Sequence, residues 1–290
     1  MLKKERQSFI LRQVNLHNKV LSVDLSQQMG VSEDTIRRDL NQMAEQDKLI
    51  KVHGGALSKS FHLSVASENV YALDSKKLIA TKACRLIKDG MFVLTTGGTT
   101  IIELAKSLPA ELSATFITVS LPAAYEYSHH PNIDLVFLGD RISKNSQIAV
   151  GGELSATFIT VSLPAAYEYS HHPNIDLVFL GDRISKNSQI AVGGSVISRL
   201  NGIKADLCFL GTNAIDVKKG ITDNDWEVAE VKKAMIEASS HVVSLSITEK
   251  LNTVQRIKVC DLSGINTLIT ELNPGDPALK PYRQTGIRIL

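Results

Sequence analysis

The chain has 290 residues, 43% of them hydrophobic and 21% charged, which is enough to bury a sizeable core and divides naturally into one small and one larger domain. Its formal net charge is only +2, and although residues 1 to 60 carry ten Lys or Arg against seven Asp or Glu, that excess is too mild to argue for nucleic acid by itself. Cys84, Cys208 and Cys260 are isolated and lie in apolar runs, which excludes a disulfide framework or a zinc spacing and suits buried thiols in a reducing cytosol. No signal-peptide pattern and no apolar run near the roughly 18 residues of a membrane span is present, so a cytoplasmic protein without membrane contact is expected.

The first elements in chain order form a compact group within residues 1 to 60. A short helix from Val23 to Met29, packing through Leu25 and Met29, is followed by a turn at Gly30. A second helix then starts after Ser32, a good N-cap, with Glu33 and Asp34 at the positive end of its dipole. Ile36, Leu40, Met43 and Ala44 give it one apolar stripe, and Thr35, Arg37, Arg38, Asn41 and Gln42 fall on the other side. Such a second helix belongs in a major groove, where its N-terminal residues would meet base edges. Residues Leu49 to Leu57 read as two short strands around a glycine turn, a wing that would lay Lys51 and His53 along phosphate.

A capped amphipathic helix with two arginines on its wet side is also what any small three-helix domain carries. The order of parts separates the readings, because helix, helix, turn, Arg-Arg helix and glycine wing all fall within sixty residues. The run Thr35-Ile36-Arg37-Arg38-Asp39-Leu40 followed by Val52-His53-Gly54-Gly55-Ala56 resembles the signature of the DeoR family of bacterial transcriptional regulators. The resemblance implies that Ser32, Thr35, Arg37 and Arg38 face DNA, that Asp39 holds the fold rather than touching bases, and that the remaining chain senses a sugar phosphate.

After a linker at residues 61 to 75, helices and strands alternate from Lys76 onward: helix to Ile87, strand Met91 to Thr95, helix Thr99 to Leu108, then strands near residues 115 to 120, 133 to 138, 207 to 210, 242 to 246 and 267 to 270, with a helix from Trp226 to Ser239. This is an α/β pattern with a mainly parallel sheet, Rossmann-like in class, and ligands on such sheets bind beyond the carboxyl ends of the strands. Two loops qualify. Thr95-Thr96-Gly97-Gly98-Thr99-Thr100 joins a strand to a helix, so glycines, hydroxyls and a helix N-terminus would converge on an anion at Gly97, Gly98, Thr99 and Thr100; the bland alternative is a turn with capping threonines. It lacks a Walker lysine and does not match GxGxxG, which argues against ATP or a dinucleotide. Gly211-Thr212-Asn213-Ala214-Ile215-Asp216 follows its strand in the same way.

Both loops resemble the DeoR sensor domain, whose fold the resemblance relates to ribose-phosphate isomerase, and Gly220-Ile221-Thr222, Glu227-Val228-Ala229 and Lys250 fall where that family suggests. The chain departs from the family at three places: Thr96 and Gly97 where an acid precedes Gly-Thr-Thr, Val119 (and Val161) where an Asn stands between Thr and Ser, and Ile247-Thr248-Glu249 before Lys250 where an Asp is usual. Phosphate anchoring by Gly211, Thr212, Asn213, Lys250 and the first loop is therefore better supported than recognition of sugar hydroxyls.

Residues 111 to 152 recur without change as residues 153 to 194, a 42-residue tandem repeat whose removal leaves 248 residues. Two identical copies fit a recent duplication, an engineered insertion or an error of sequence assembly better than a solenoid, which needs three or more drifting units. Each copy reads as a βαβ unit ending in Gly-Gly. Only one can fill the slot in the sheet: either the first does and the second leaves after Gly152 and returns at Ser195, or the second does and the first hangs between Ala110 and Glu153. The displaced copy is expected to extend the sheet or to swap with a partner subunit.

The competing reading is a sugar-phosphate isomerase or deaminase-like enzyme fused to a DNA-binding domain, which needs an acid and a base at the sugar carbon. Asp140 and Asp182 are the best candidates, and each reads more naturally as a loop or turn residue. His129, His130, His171 and His172 read as surface residues, since adjacent histidines on one helix cannot both meet one metal. Trp226 opens an amphipathic helix and reads as core packing, and the tail from Pro274 to Pro281 as an ordered or frayed terminus. The expectation is a transcriptional repressor of carbohydrate genes, neither catalytic nor dependent on metal or cofactor, which binds double-stranded operator DNA and a phosphorylated sugar as a homo-oligomer of two or four subunits.

Overall fold

A computed structural model describes residues 2–17, 19–59, 70–138, 156–160, 175–179, 182–185 and 189–290, the segments from 156 to 185 as backbone only. The chain forms two compact units, Met1–Leu73 and Asp74–Leu290.

The first unit comprises α1 (Lys3–His17), β1 (Lys19–Leu21), α2 (Ser22–Met29), α3 (Glu33–Glu45), β2 (Ile50–Val52) and β3 (Gly55–Leu57). Its core is Ile10 and Val14 of α1, Leu25 of α2, Ile36, Leu40 and Met43 of α3, and Leu49 and Ala56, with Met29 and Ala44 packed at the edge. Apolar side chains at three- and four-residue spacing on three helices close on one another, which is why these short helices persist in water. Gly30 ends α2 at φ 62°, a left-handed conformation that glycine adopts without a Cβ penalty, so the chain turns sharply into α3. The wing has a third strand that the sequence pattern did not reveal: β1 pairs antiparallel with β3, which also pairs with β2.

The second unit begins with α4 (Leu73–Cys84), β4 (Phe92–Thr95), α5 (Thr99–Lys106), β5 (Ala114–Thr118), α6 (Leu121–Ser128) and β6 (Ile133–Phe137). After the repeat come β11 (Leu207–Gly211), β12 (Ala214–Asp216), β13 (Gly220–Asp223), α8 (Trp226–Glu237), β14 (Val242–Leu245), β15 (Ile257–Cys260), β16 (Thr267–Ile269), α9 (Lys280–Arg283) and β17 (Arg288–Ile289). Seven strands form one sheet in the order β17-β16-β14-β11-β4-β5-β6, and every neighbouring pair is parallel. Parallel strands are covered on both faces, which explains continuous buried runs such as Cys208-Phe209-Leu210 and Val242 to Leu245. A small antiparallel sheet, β12-β13-β15, stands apart from it.

Within the repeat, β7 (Ala156–Thr160), β8 (Ile175–Phe179), β9 (Asp182–Ser185) and β10 (Ile190–Val192) form a separate four-stranded sheet in the order β10-β9-β8-β7, followed by α7 (Gly194–Leu200). The first of the two expected arrangements is the nearer one, with Gly152 outside the described residues and the return falling earlier than Ser195. The first copy fills the slot through β5, α6 and β6, but the chain re-enters with the end of the second: Leu121 N donates to Gln189 O at 3.0 Å and Ala191 N to Val119 O at 2.7 Å. Among the described residues, the place beside β4 and β5 is thus filled from both copies. The displaced strands extend a sheet of their own rather than the seven-stranded one.

The tail is ordered. Tyr282 is fully buried, its hydroxyl donating to Ile215 O at 3.0 Å and accepting from Asn252 N at 2.9 Å, and β17 adds the last strand of the main sheet. Trp226 departs from the core expectation, being 64% exposed. The buried stripe of α8 runs through Val228, Val231, Lys232 and Met235, and a residue two places earlier than Val228 lies about 200° round the helix from it. Of the cysteines only Cys208 is buried; Cys84 and Cys260 are half-buried. His129 is exposed and His130 half-buried, its Nε2 2.7 Å from Pro109 O. Asp140, His171, His172, Gly151, Gly152 and most of the expected linker lie outside the described residues, and Asp182 opens β9 with only its backbone described.

Candidate functional site

Two surfaces collect the residues singled out in the sequence, one in each unit. In the first unit, Ser32 caps α3 by accepting from Thr35 N at 3.3 Å, with the two hydroxyls 2.9 Å apart. Arg37 and Arg38 are exposed on the face opposite Ile36, Leu40 and Met43. Arg37 shares a cleft of about 540 Å³ with Lys51 and His53 of the wing, Glu33 of α3, and Ser22 and Val23 at the start of α2. Ser32, Thr35 and Arg38 do not line that cleft; Arg38 Nη2 instead reaches Asp34 at 2.7 Å, one helical turn away and well exposed. Asp39, only 2% exposed, is paired with Arg6 of α1, and Gln7 Nε2 donates to Gln42 Oε1 at 2.9 Å. Those contacts fix α3 against α1, so Asp39 points into the unit while Arg37 points out of it.

In the second unit the strand order places the site. From β4 the chain proceeds outward to β5 and β6, and from β11 it proceeds the opposite way to β14 and β16, so the order reverses between β4 and β11. Ligands of such sheets bind at the switch point, outside the carboxyl ends of the two strands. These loops are Thr95 to Gly98 and Gly211 to Asn213, the two read from the sequence. They approach each other closely: Gly211 N donates to Thr96 Oγ1 at 2.7 Å, and a Cβ at Gly211 would lie 2.2 Å from Gly97 O. Only glycine fits at 211. Gly98, at φ 112°, precedes α5, and a Cβ there would meet none of the described residues within 4 Å, with Thr99 and Thr100 following in the helix.

Beneath these loops lie enclosed charges, of which the sequence reading named Lys250 and missed Lys76, Asp223 and Lys232. Lys232 Nζ is 2.8 Å from Asp223 Oδ2 and also donates to Gly211 O at 2.8 Å, with both side chains almost wholly buried. Asp223 Oδ1 accepts from the amides of Asn224 and Asp225 at 2.7 and 3.2 Å, and Asn213 Nδ2 approaches it at 3.4 Å. Burial alone would raise the Asp223 pKa, but the charge and hydrogen bond of Lys232, helped by Asn224 and Asn213, outweigh it and hold the carboxyl below its ordinary range. Lys250 Nζ donates to Thr212 O at 2.8 Å. Burial of its ammonium, with the charges of Lys76 and Lys232 nearby, lowers its pKa to about 7 although Asp223 opposes the shift. Lys76, itself 5% exposed, is lowered to about 8 by burial, against the pull of Glu103 and Glu249.

A signal for two of these lysines was present in the sequence. Lys76 shares its buried face with Ile79, Ala80 and Ala83, and Lys232 with Val228, Val231 and Met235. A lysine on the apolar stripe of an amphipathic helix must find a partner inside, and so marks a charged interior. Among the described residues no group of three or more His, Cys, Asp or Glu is placed to hold a metal ion, and no helix is long and apolar enough to cross a membrane.

This architecture agrees with comparisons to known proteins. Residues 6–61 match the DeoR-like helix-turn-helix domain, and residues 72–156 and again 152–272 match the DeoR C terminal sensor domain, the two matches meeting inside the repeat. HTH-type transcriptional regulator GolR of Listeria innocua is 24% identical over 288 residues, covering 98% of this chain and 97% of that protein. HTH-type transcriptional repressor GlcR of Bacillus subtilis is 26% identical over 293 residues, covering 100% and 96%. The glycerol-3-phosphate regulon repressor of Haemophilus influenzae is 24% identical over 272 residues, covering 91% and 88%. Among solved structures, ribose 5-phosphate isomerase A of Methanocaldococcus jannaschii aligns with a TM-score of 0.35 at 17% identity over 61% of this chain, which spans 54% of its length. With a helix-turn-helix reader and a sensor domain that both match family models, and relatives of the same kind along its full length, the chain belongs to the DeoR family of transcriptional regulators.

Proposed function

We propose that the protein is a cytoplasmic repressor of carbohydrate-metabolism genes that binds operator DNA as a homo-oligomer of two or four subunits and is controlled by a phosphorylated sugar. The observation that carries this reading is the switch point between β4 and β11, where the loops Thr95 to Gly98 and Gly211 to Asn213 meet over buried Lys232, bonded to Gly211 O, and half-buried Lys250, bonded to Thr212 O. An anion bound by Gly97, Gly98, Thr99 and Thr100 would be held by amides and a helix dipole. Lys250, tied to Thr212 O beside Asn213, would supply the nearest cation, and Lys76 the next. Names of the relatives, a glycerol-3-phosphate regulon repressor among them, support a phosphorylated effector.

On the DNA side, Arg37 at the lip of a cleft with Lys51 and His53 suits base contact by the helix and phosphate contact by the wing, with Ser32, Thr35 and Arg38 flanking. The repressor acts by binding alone. Catalysis would need a base strong enough to take a proton at the sugar carbon, and Asp223, its pKa held below the ordinary range by Lys232 and the amides around it, is a weak one. Control is then a matter of linkage: the effector shifts operator affinity only by as much as it prefers one arrangement of the paired readers over another.

The test is an electrophoretic shift with fragments upstream of the chain's own operon, repeated with a panel of sugar phosphates and followed for their turnover. Specific binding relieved by one compound, which is recovered unchanged, is the expected result. Turnover of that compound would revive the enzyme reading, and binding indifferent to every compound would remove the sensor.

A further inference from the structure

We propose that Glu33 determines specificity in the reader: its carboxylate accepts a hydrogen bond from the exocyclic amine of a cytosine close to the base that Arg37 contacts. The inference rests on the reading of α3 as the helix that enters the major groove, and adds to it a residue that discriminates by its negative charge. Glu33 opens α3 and stands one turn before Arg37; both are exposed, and both line the cleft with Lys51 and His53 of the wing. The walls of that cleft are tied together. Ser22 N, at the start of α2, donates to Gly54 O at 2.8 Å, Val52 pairs with Gly55, and a Cβ at Gly55 would run into Val20 O, so only glycine lets the wing close on β1. Four residues advance a helix by about 6 Å and one base pair advances the duplex by roughly 3.4 Å, so the two side chains reach base edges about two pairs apart at most.

Among the described residues that line the cleft, Glu33 is the one carboxylate, in the company of Arg37, Lys51 and His53. A carboxylate that faces a polyanion costs affinity wherever it meets phosphate, whatever the sequence. A base edge can offset that cost only by offering a donor. In the major groove guanine presents the acceptors O6 and N7 and thymine the acceptor O4, all of which repel an acceptor-only group, and adenine sets its amine beside the acceptor N7. Cytosine presents its N4 amine, which a carboxylate accepts from without that opposition. The repulsion against the other bases is what makes such a contact selective. The helix does not depend on Glu33 for its start, because Ser32 caps it and Asp34 also stands in its first turn. Asp34 lies outside the cleft and meets Arg38 at 2.7 Å, so of two acid and arginine pairs at the same spacing only Glu33 and Arg37 face into it.

The test is selection from a pool of randomised duplex DNA by the full chain and by its variants Glu33→Gln, Glu33→Ala, Asp34→Asn and Arg37→Ala, with the recovered sites sequenced and their affinities measured by electrophoretic shift. Glu33 is exposed, so glutamine in its place is tolerated on folding grounds. The site chosen by the full chain should carry a cytosine, favoured by about fivefold or more, near the position whose preference Arg37→Ala removes. Glu33→Gln should move that preference to adenine, whose N6 and N7 an amide meets bidentately. Glu33→Ala should abolish it and raise affinity for non-specific duplexes, and Asp34→Asn should leave every preference in place. Base preferences that stay the same in both Glu33 variants would overturn the proposal while leaving α3 as the reader, as would a loss at a base other than cytosine or the same loss in Asp34→Asn. If the full chain selects no sequence, or if Arg37→Ala also changes none, the reading of α3 falls together with the proposal.

Discussion

The two units use positive charge in opposite physical regimes. In the reader, Arg37, Arg38, Lys51 and His53 are exposed, and the Arg38–Asp34 contact is the kind of surface pair that contributes about 0 to 1 kcal/mol. In the sensor, Lys76 and Lys232 are each 5% exposed and Lys250 is half-buried with its ammonium bonded to Thr212 O, so every charge must be matched by a carboxylate, a carbonyl or a ligand. Exposed cations bind a polyanion by releasing its counterions, and their effect follows salt. Enclosed cations are screened little by salt and respond instead to pH.

The largest test of that contrast is removal of one partner from the buried pair. Lys232→Met leaves Asp223 ionised, enclosed and without its cation, and should lower stability by about 3 to 5 kcal/mol in urea unfolding. The double change Lys232→Met with Asp223→Leu should recover most of the loss, because two apolar groups leave no charge to solvate. Should the double variant be no more stable than the single one, the pair's contribution would have to lie in the hydrogen bonds of Gly211 O and the Asn224 amide instead.

A change of pH separates the regimes next. The folded-state pKa of Lys250, about 7, lies below its ordinary 10.5, so between these values the unfolded chain holds more protons than the folded one. Stability therefore rises from pH 7 towards 10 as the cost of enclosing the charge is relieved, and that cost is fully present below pH 7. Lys76, at about 8, adds in the same direction over a narrower window. Effector affinity runs the other way. An anion prefers the protonated lysine, so binding of a sugar phosphate should weaken above pH 7 by up to about tenfold per unit. Calorimetry from pH 7 to 9 checks this, and a flat affinity would take Lys250 out of the anion site. Lys76→Met, by removing a neighbouring positive charge, should raise the Lys250 pKa, an effect readable by NMR of the lysine side chains.

How far the sequence could be read differs between these regions for the same reason. The reader was legible because its elements are local: a cap at Ser32, a stripe at Ile36, Leu40 and Met43, and a left-handed Gly30 announce themselves within a few residues. So were the two loops of the sensor, each following an apolar strand. The order of the strands was not, since it rests on pairings between residues more than a hundred positions apart, such as Leu207 with Val93. Without that order the switch point and the convergence of Lys76, Lys232 and Lys250 stay hidden. Trp226 misled because a tryptophan at the start of an amphipathic helix suggests burial, whereas helix phase turns it to solvent, with Lys233 Nζ 5.7 Å from its ring. The repeat was legible as text but not as structure, because identical side chains leave the connections to decide which residues occupy the sheet.

The smaller effects belong to the exposed cations and distinguish among them. Arg37→Ala should weaken operator binding by about 1 to 3 kcal/mol and relax specificity at one base pair, since a bidentate arginine discriminates bases by that much. Lys51→Ala should do less and do it uniformly: affinity for specific and non-specific DNA falls together, and the slope of log K against log salt becomes shallower by about 1. Both changes should leave the unfolding midpoint in place, because neither side chain is buried. If Lys51→Ala altered the preferred operator sequence without changing the salt slope, the wing would be reading bases rather than phosphate. The cleft it shares with Arg37 would then have to be entered by a groove edge instead of spanning the backbone beside it.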